Sequence, residues 1–402
     1  MKLASRMERI GTETAFEAAA RARALEATGR DVIHLELGEP DFDTPRHVGE
    51  ATVHALLDER MTHYTPATGI APLKEAIVAD VKRWKGIETT PDNVVVTPGA
   101  KPIMFYAMLA LINEGDEVIY PNPGFPIYES MANYVGGRAV PAPLREADEF
   151  RMDVAEVASL VTHRTRLIVL NSPHNPTGSI LTADDIREIA RIAVERDLVV
   201  LADEIYGRLQ YDGEPLSIAT LPGMAERTIT LDGFSKTFAM TGWRLGYGIV
   251  PDGLVPSFSR LVINSVSCTN AFAQAGAVAA LSGPQDEPQR FREEFVARRQ
   301  LIIEGLNAIP GVSAVMPHGA FYAFPNVSSF GRSSNEIADH LLYDAGVCVL
   351  SGTAFGSGGE GYVRLSYANS RDNISRALER MGESLGKLER TGELVGAASV
   401  GA

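Results

Sequence analysis

Cysteine is scarce: the 402-residue chain has two, Cys268 and Cys348. Neither belongs to a Cys-x-x-Cys pair, so no metal site is expected, only two reduced thiols in packed positions. Long apolar runs are missing too. No stretch reaches the roughly 18 uninterrupted apolar residues that a membrane-crossing helix needs. The opening Met1-Lys2-Leu3-Ala4-Ser5-Arg6 brings in charge before an apolar segment can form, which argues against a secretory signal. The expected location is cytoplasmic. Basic residues are the minority, 37 against 51 acidic ones, for a formal net charge of -14. Phosphate backbones reward a basic face, so nucleic acid is excluded as the main partner. No internal repeat and no low-complexity block interrupts the chain.

What is present is an ordinary globular composition, 45% hydrophobic, with material for two or three domains. Short apolar runs alternate with helical stretches. Asn93–Thr97, Glu117–Tyr120, Leu167–Leu170, Leu198–Ala202, Thr228–Leu231 and Leu245–Val250 read as strands. Helical patterns fill Ala100–Ile112 and Ala183–Glu195 between them. Continuous apolar strands separated by helices predict a sheet covered on both faces, an α/β architecture. After about residue 251 helices dominate, at Phe258–Val266, Ala271–Leu281 and Glu287–Ile309. Short strands return at Gly346–Leu350, Phe321–Phe324 and Tyr362–Ser366, with a helix over Ser334–Ala345, which suggests a smaller α+β domain. A first helix near Glu13–Thr28 stands apart, free to join the smaller domain or to reach a partner subunit. The expected division is 1–47 as an N-terminal segment joining the small domain, 48–290 as the large domain and 291–402 as the small one. Residues 392–402 are small, unpatterned and expected to fray.

Ligands of such sheets gather beyond the carboxyl ends of the strands, and four unusual clusters lie there. Ser235-Lys236-Thr237 follows a strand, and Arg244 comes eight residues after Lys236 through mostly small or apolar residues. A lysine in a partly desolvated pocket has a lowered pKa and can act as a nucleophile. An arginine nearby suits a phosphate. Asn171-Ser172-Pro173-His174-Asn175-Pro176-Thr177-Gly178 is a rigid turn. Asp203-Glu204-Ile205-Tyr206 ends a buried strand, where a helix cap is the ordinary reading of Asp203. Thr97-Pro98-Gly99-Ala100-Lys101 is a glycine turn opening a helix, with backbone N–H groups placed for an anion.

In this order, from Gly38 to Arg364, the segments resemble the class I and II aminotransferases of the pyridoxal-phosphate family known as fold type I. The resemblance implies a large domain with a mostly parallel seven-stranded sheet between helices, plus the smaller domain. It implies pyridoxal 5'-phosphate held covalently on Lys236, which also serves as general base. Asp203 matches the carboxylate that keeps the cofactor's ring nitrogen protonated. Tyr206 and Asn175 match the donors to its ring hydroxyl oxygen, and Phe125 matches the aromatic stacked on the ring. Gly99, Ala100, Lys101, Ser235 and Arg244 match the phosphate cradle, joined by Tyr64 from the other subunit of a homodimer with shared sites. Arg364 and Gly38 match the groups that hold the substrate α-carboxylate, beside Asn175.

The implied reaction moves an amino group between an L-amino acid and a 2-oxo acid by a ping-pong course. Lys101 stands where some bacterial aspartate aminotransferases carry a lysine for the substrate's distal carboxylate, which favours aspartate with 2-oxoglutarate. Glu13 and Glu36 border the same region. Facing the pocket, they would instead favour a cationic substrate such as arginine or ornithine; aromatic substrates remain a further alternative. A β-lyase of the same fold would carry the same motifs. Some transcription regulators also carry such a domain, but no DNA-binding unit fits before Gly38.

Overall fold

The computed structural model describes residues 2–389, so the expected fraying of 392–402 lies outside the described residues. Seven strands form the main sheet: β1 (Val94–Thr97), β2 (Glu117–Asn122), β3 (Arg138–Pro143), β4 (Thr165–Asn171), β5 (Val199–Asp203), β6 (Thr228–Gly233) and β7 (Gly246–Ile249). Their spatial order is β1-β7-β6-β5-β4-β2-β3. The strand β7 runs antiparallel to β1 and β6, and the other neighbours are parallel.

The apolar runs are continuous because both faces are covered. In β4, Leu167 and Val169 join a core that includes Ile103, Phe258 and Val262. The alternate residues Ile168 and Leu170 join an opposite core with Ile186, Ile189 and Ala193. Side chains of a strand point alternately to its two faces, so one four-residue run serves both cores. The helix Ala183–Glu195 behind the sheet starts with a capping box. Asp185 Oδ2 accepts from the Thr182 N–H at 2.8 Å, and Thr182 Oγ1 accepts from the Asp185 N–H at 3.2 Å, which satisfies two donors that helix geometry leaves free.

The long helix Asp286–Asn307 leads away from the sheet, and the expected change of domain at 290 falls inside it. Beyond it, Leu350–Ser351, Val363–Ser366 and Tyr322–Ala323 form a small antiparallel sheet. The N-terminal strand Ile33–His34 pairs with Val347–Cys348. The stitching continues where the Ser366 N–H donates to Leu35 O at 2.7 Å. The first helix, Ala15–Glu26, places Ala22 against Val32, Leu342 and Cys348, so it packs on this C-terminal layer. Both cysteines are free thiols, Cys348 buried and Cys268 partly so.

Candidate active site

A cavity of about 490 Å³ opens at the carboxyl ends of β4, β5 and β6. Asn171 ends β4, Asp203 ends β5, and the chain leaving β6 carries Ser235 and Lys236 to its wall. The turn after β1 contributes Ala100 and Lys101, and the turn after β2 contributes Phe125. From the C-terminal layer come Tyr322 and Arg364; from the N-terminal segment come Glu13, Gly38 and Glu39.

Lys236 Nζ donates to Gly38 O at 2.5 Å and has no carboxylate partner among the described residues. Burial lowers its amine to about 8; Glu39 opposes this, while Arg364, Lys101 and Arg244 reinforce it. An amine so placed is neutral in a usable fraction of molecules near neutral pH, which a nucleophile or base requires.

Asp203 lies on the floor. Tyr128 Oη donates to its Oδ2 at 2.7 Å, and the Ile205 N–H donates to its Oδ1 at 3.2 Å. Burial nevertheless raises its carboxyl to about 6, because two hydrogen bonds do not replace full hydration. A buried carboxylate held in this way has room for a cationic partner. Asp203 therefore does more than cap a helix, and no α-helix starts there.

Arg364 is buried on its strand, not on the surface. Its Nη1 donates to Asn175 Oδ1 at 3.2 Å, and its Nη2 donates to the carbonyl oxygen of Glu36. Its guanidinium carbon stands 4.5 Å from the Tyr322 ring centroid and 4.9 Å from that of Phe355. The Nε atom has no partner among the described residues. A buried guanidinium whose own hydrogen bonds go only to neutral acceptors is poised for an incoming carboxylate. Gly38 is required by its neighbour, since a Cβ there would stand 2.0 Å from Tyr322 Oη. That hydroxyl also meets Tyr206 Oη at 2.6 Å.

Gly99 has φ +81°, and a Cβ on it would stand 2.4 Å from Arg244 Nη2. Gly99 and Arg244 are thus in close contact, and Ala100, Lys101, Ser235 and Arg244 line the same cavity. Arg244 itself is open to solvent. The Asn171–Gly178 turn is held from within: the Asn175 N–H donates to Asn171 Oδ1 at 2.9 Å. His174 Nδ1 pairs with Thr177 Oγ1 at 2.8 Å, and burial depresses that imidazole to about 3, so it is neutral.

The two glutamates separate. Glu13 lines the cavity and pairs with Lys101. Glu36 does not line the pocket. Its side chain turns away into a buried site, where Oε1 pairs with His34 Nδ1 at 2.8 Å. Tyr64 lies outside the cavity and is 89% exposed. Sequence reasoning missed Tyr128 and Tyr322. Tyr322 was visible only as part of a strand, and nothing in the sequence marked Tyr128. A second cavity of about 600 Å³ lies behind β5, lined by Trp84, Lys85, Glu204 and Arg208. There Lys85 pairs with Glu204 and Asp232, and Arg208 pairs with Asp80.

An amine with a lowered pKa, a buried acid on the floor, a glycine turn with an arginine, and a carboxylate-ready arginine define an enzyme of the pyridoxal-phosphate class. The family model for class I and II aminotransferases matches residues 30–381, and the chain belongs to that family. It is similar to aromatic-amino-acid aminotransferase 2 of Thermococcus litoralis, 40% identical over 95% of this chain and 97% of that one. It is also similar to the aspartate aminotransferase of Pyrococcus abyssi, 42% identical over 88% of this chain and 91% of the other. Among solved structures, Thermus thermophilus aspartate aminotransferase with maleate superposes with a TM-score of 0.92 at 36% identity, over 96% of this chain and 100% of that one. The protein is a fold type I aminotransferase, and its cofactor is pyridoxal 5'-phosphate.

Proposed function

We propose that the enzyme transfers the amino group of aspartate to 2-oxoglutarate and also accepts aromatic amino acids. The observation that carries this reading is the span of the cavity, with Arg364 free for one carboxylate and Lys101 at the same wall as Phe125. Arg364 and Gly38 hold the substrate α-carboxylate. Lys101 faces the substrate side chain. The names of the relatives supply both substrate classes, and Glu13 beside Lys101 gives a reason for the aromatic one.

Bound pyridoxal phosphate supplies an electron sink for the charge left when the substrate α-carbon loses its proton. Lys236 would hold the cofactor at its aldehyde, and its Nζ would be the base that moves the substrate α-carbon proton. Asp203 keeps the ring nitrogen protonated, itself held in place by Tyr128. Asn175 and Tyr206 would hold the ring hydroxyl, and Phe125 would supply an apolar surface for the ring. Gly99, Ala100, Ser235 and Arg244 take the phosphate.

Tyr64 reaches the same phosphate from the partner of a homodimer. Support comes from the exposed apolar residues Val53, Leu57, Ile263 and Val266, together with Tyr64 itself. Among the described residues no helix is long and apolar enough to cross a membrane, and we infer a cytoplasmic enzyme. We further infer an N-terminal segment 1–47 that moves with a small domain from 291 onward.

The test is a donor panel of aspartate, phenylalanine and arginine against 2-oxoglutarate, with Lys236→Ala as the blank. Turnover with aspartate and phenylalanine, absent in Lys236→Ala, is expected. Preference for arginine overturns the substrate assignment.

A further inference from the structure

Glu13 and Lys101 form an ion pair inside the substrate cavity, at the wall shared with Phe125. Lys101 opens the helix Lys101–Leu111, and Glu13 lies in the coil just before the helix Ala15–Glu26. The two residues are 88 positions apart, so the pair ties the N-terminal segment across the mouth of the pocket. Lys101 Nζ also stands 5.4 Å from the Phe125 ring centroid. Glu13 is close enough to the far side of the cavity that its charge raises the Arg364 guanidinium against the dominant effect of burial.

We propose that Glu13 is a built-in competitor for the substrate's side-chain carboxylate and so determines specificity. It occupies Lys101 in the resting enzyme. A dicarboxylic substrate must displace Glu13 to reach that ammonium, whereas a substrate with an apolar side chain leaves the pair intact and lies along Phe125. Glu13 thereby narrows the preference between the two classes without contacting the apolar one. A cationic side chain gains nothing, because Lys101 already neutralises the acid.

Two features limit the size of the effect. The side chains of Lys101 and Glu13 are 45% and 19% exposed, so the pair belongs with half-solvated ion pairs. Its removal should free about 1 kcal/mol for a competing carboxylate, which is about fivefold in affinity. Glu13 also acts weakly on Arg364, but any ligand with an α-carboxylate analogue feels that contribution equally. The ratio of two ligands cancels it.

The proposal rests on the reading that Lys101 faces the substrate side chain. The experiment uses holoenzyme and two unreactive acids, maleate with two carboxylates and 3-phenylpropionate with one. Dissociation constants come from calorimetry, for wild type, Glu13→Gln, Glu13→Ala and Lys101→Met. Both Glu13 variants should bind maleate about fivefold more tightly relative to 3-phenylpropionate, and Lys101→Met should bind it more weakly. Steady-state kcat/KM for aspartate over phenylalanine should move with the same ratio. An unchanged maleate ratio in both Glu13 variants, with the expected loss in Lys101→Met, overturns the competitor role alone. No loss in Lys101→Met overturns the reading of Lys101 beneath it. Retained 3-phenylpropionate binding reports that each variant is folded.

Discussion

Tyr128→Phe removes one atom from the floor of the site, the hydroxyl that donates to Asp203 Oδ2 at 2.7 Å. Both groups are buried, so water cannot replace the lost donor. A hydrogen bond to a charged acceptor contributes about 1.5–3 kcal/mol, and one pKa unit is about 1.4 kcal/mol, so Asp203 should rise by about 1 to 2 units. In the apoprotein that carboxyl already stands at about 6, against 3.8 for the free group. A carboxyl raised by folding favours the folded state below its unfolded value, and that advantage is lost as pH climbs through the folded value. In Tyr128→Phe the loss continues to a higher pH. The deficit of the variant against wild type should therefore grow between about pH 5 and about pH 9, by about 1.5–3 kcal/mol. Urea unfolding of apoprotein at the two pH values, at fixed protein concentration, measures it. The packing defect left by the missing oxygen is common to both pH values and drops out of the difference. Equal deficits at both would refute the idea that Tyr128 supports the ionised form of Asp203.

Gly99→Ala places a side chain against the Arg244 guanidinium, which must give way, so pyridoxal phosphate should dissociate about tenfold more readily, from the roughly 1.5–3 kcal/mol that a hydrogen bond to a charged group contributes. Absorbance titration of apoprotein with the cofactor measures this, and an unchanged constant would remove the turn from the phosphate site. His34→Gln tests the pair between the half-buried His34 and the buried Glu36, which, as the leading cause, raises the imidazole from 6.5 to about 9. The stabilisation from His34 is fully present below pH 6.5 and disappears as pH passes 9. Melting temperatures of wild type and variant should therefore converge at alkaline pH, and a gap that stays constant would contradict it.

Six of the seven sheet strands were legible: β1, β2, β4 and β5 feed two cores and read as apolar runs, and β6 and β7 show through the buried Ile229, Leu231, Tyr247 and Ile249. The exception, β3, is Arg-Ala-Val-Pro-Ala-Pro at the sheet edge. An edge strand readily accommodates prolines, because a missing N–H there need not break a ladder bond, and its half-exposed residues remove the apolar signal. The motif residues at strand ends were legible because glycine, asparagine and charge are conspicuous beside such runs. Tyr128 and Tyr322 were not, because a tyrosine that spends its hydroxyl on a buried acid or a second tyrosine looks like any core aromatic. Glu36 shows the opposite failure. A charge close in sequence to the site points away from it: Leu37, Gly38 and Glu39 line the cavity, while Glu36 sits at a bend and is buried against His34.

The N-terminal segment is stitched to the Arg364 strand through the Ser366 N–H to Leu35 O and through Arg364 Nη2 to Glu36 O, and Ile33 pairs with Val347 in the same layer. Gly38 and Arg364, the two jaws proposed for the α-carboxylate, thus ride on one block even though they are 326 positions apart, as 364 less 38 gives. Lys236 rides on another, the sheet. If the blocks shift, the jaws keep their gauge and only their reach to the amine changes. Chain-distant residues then behave as one tool, whose opening is preset before any substrate arrives.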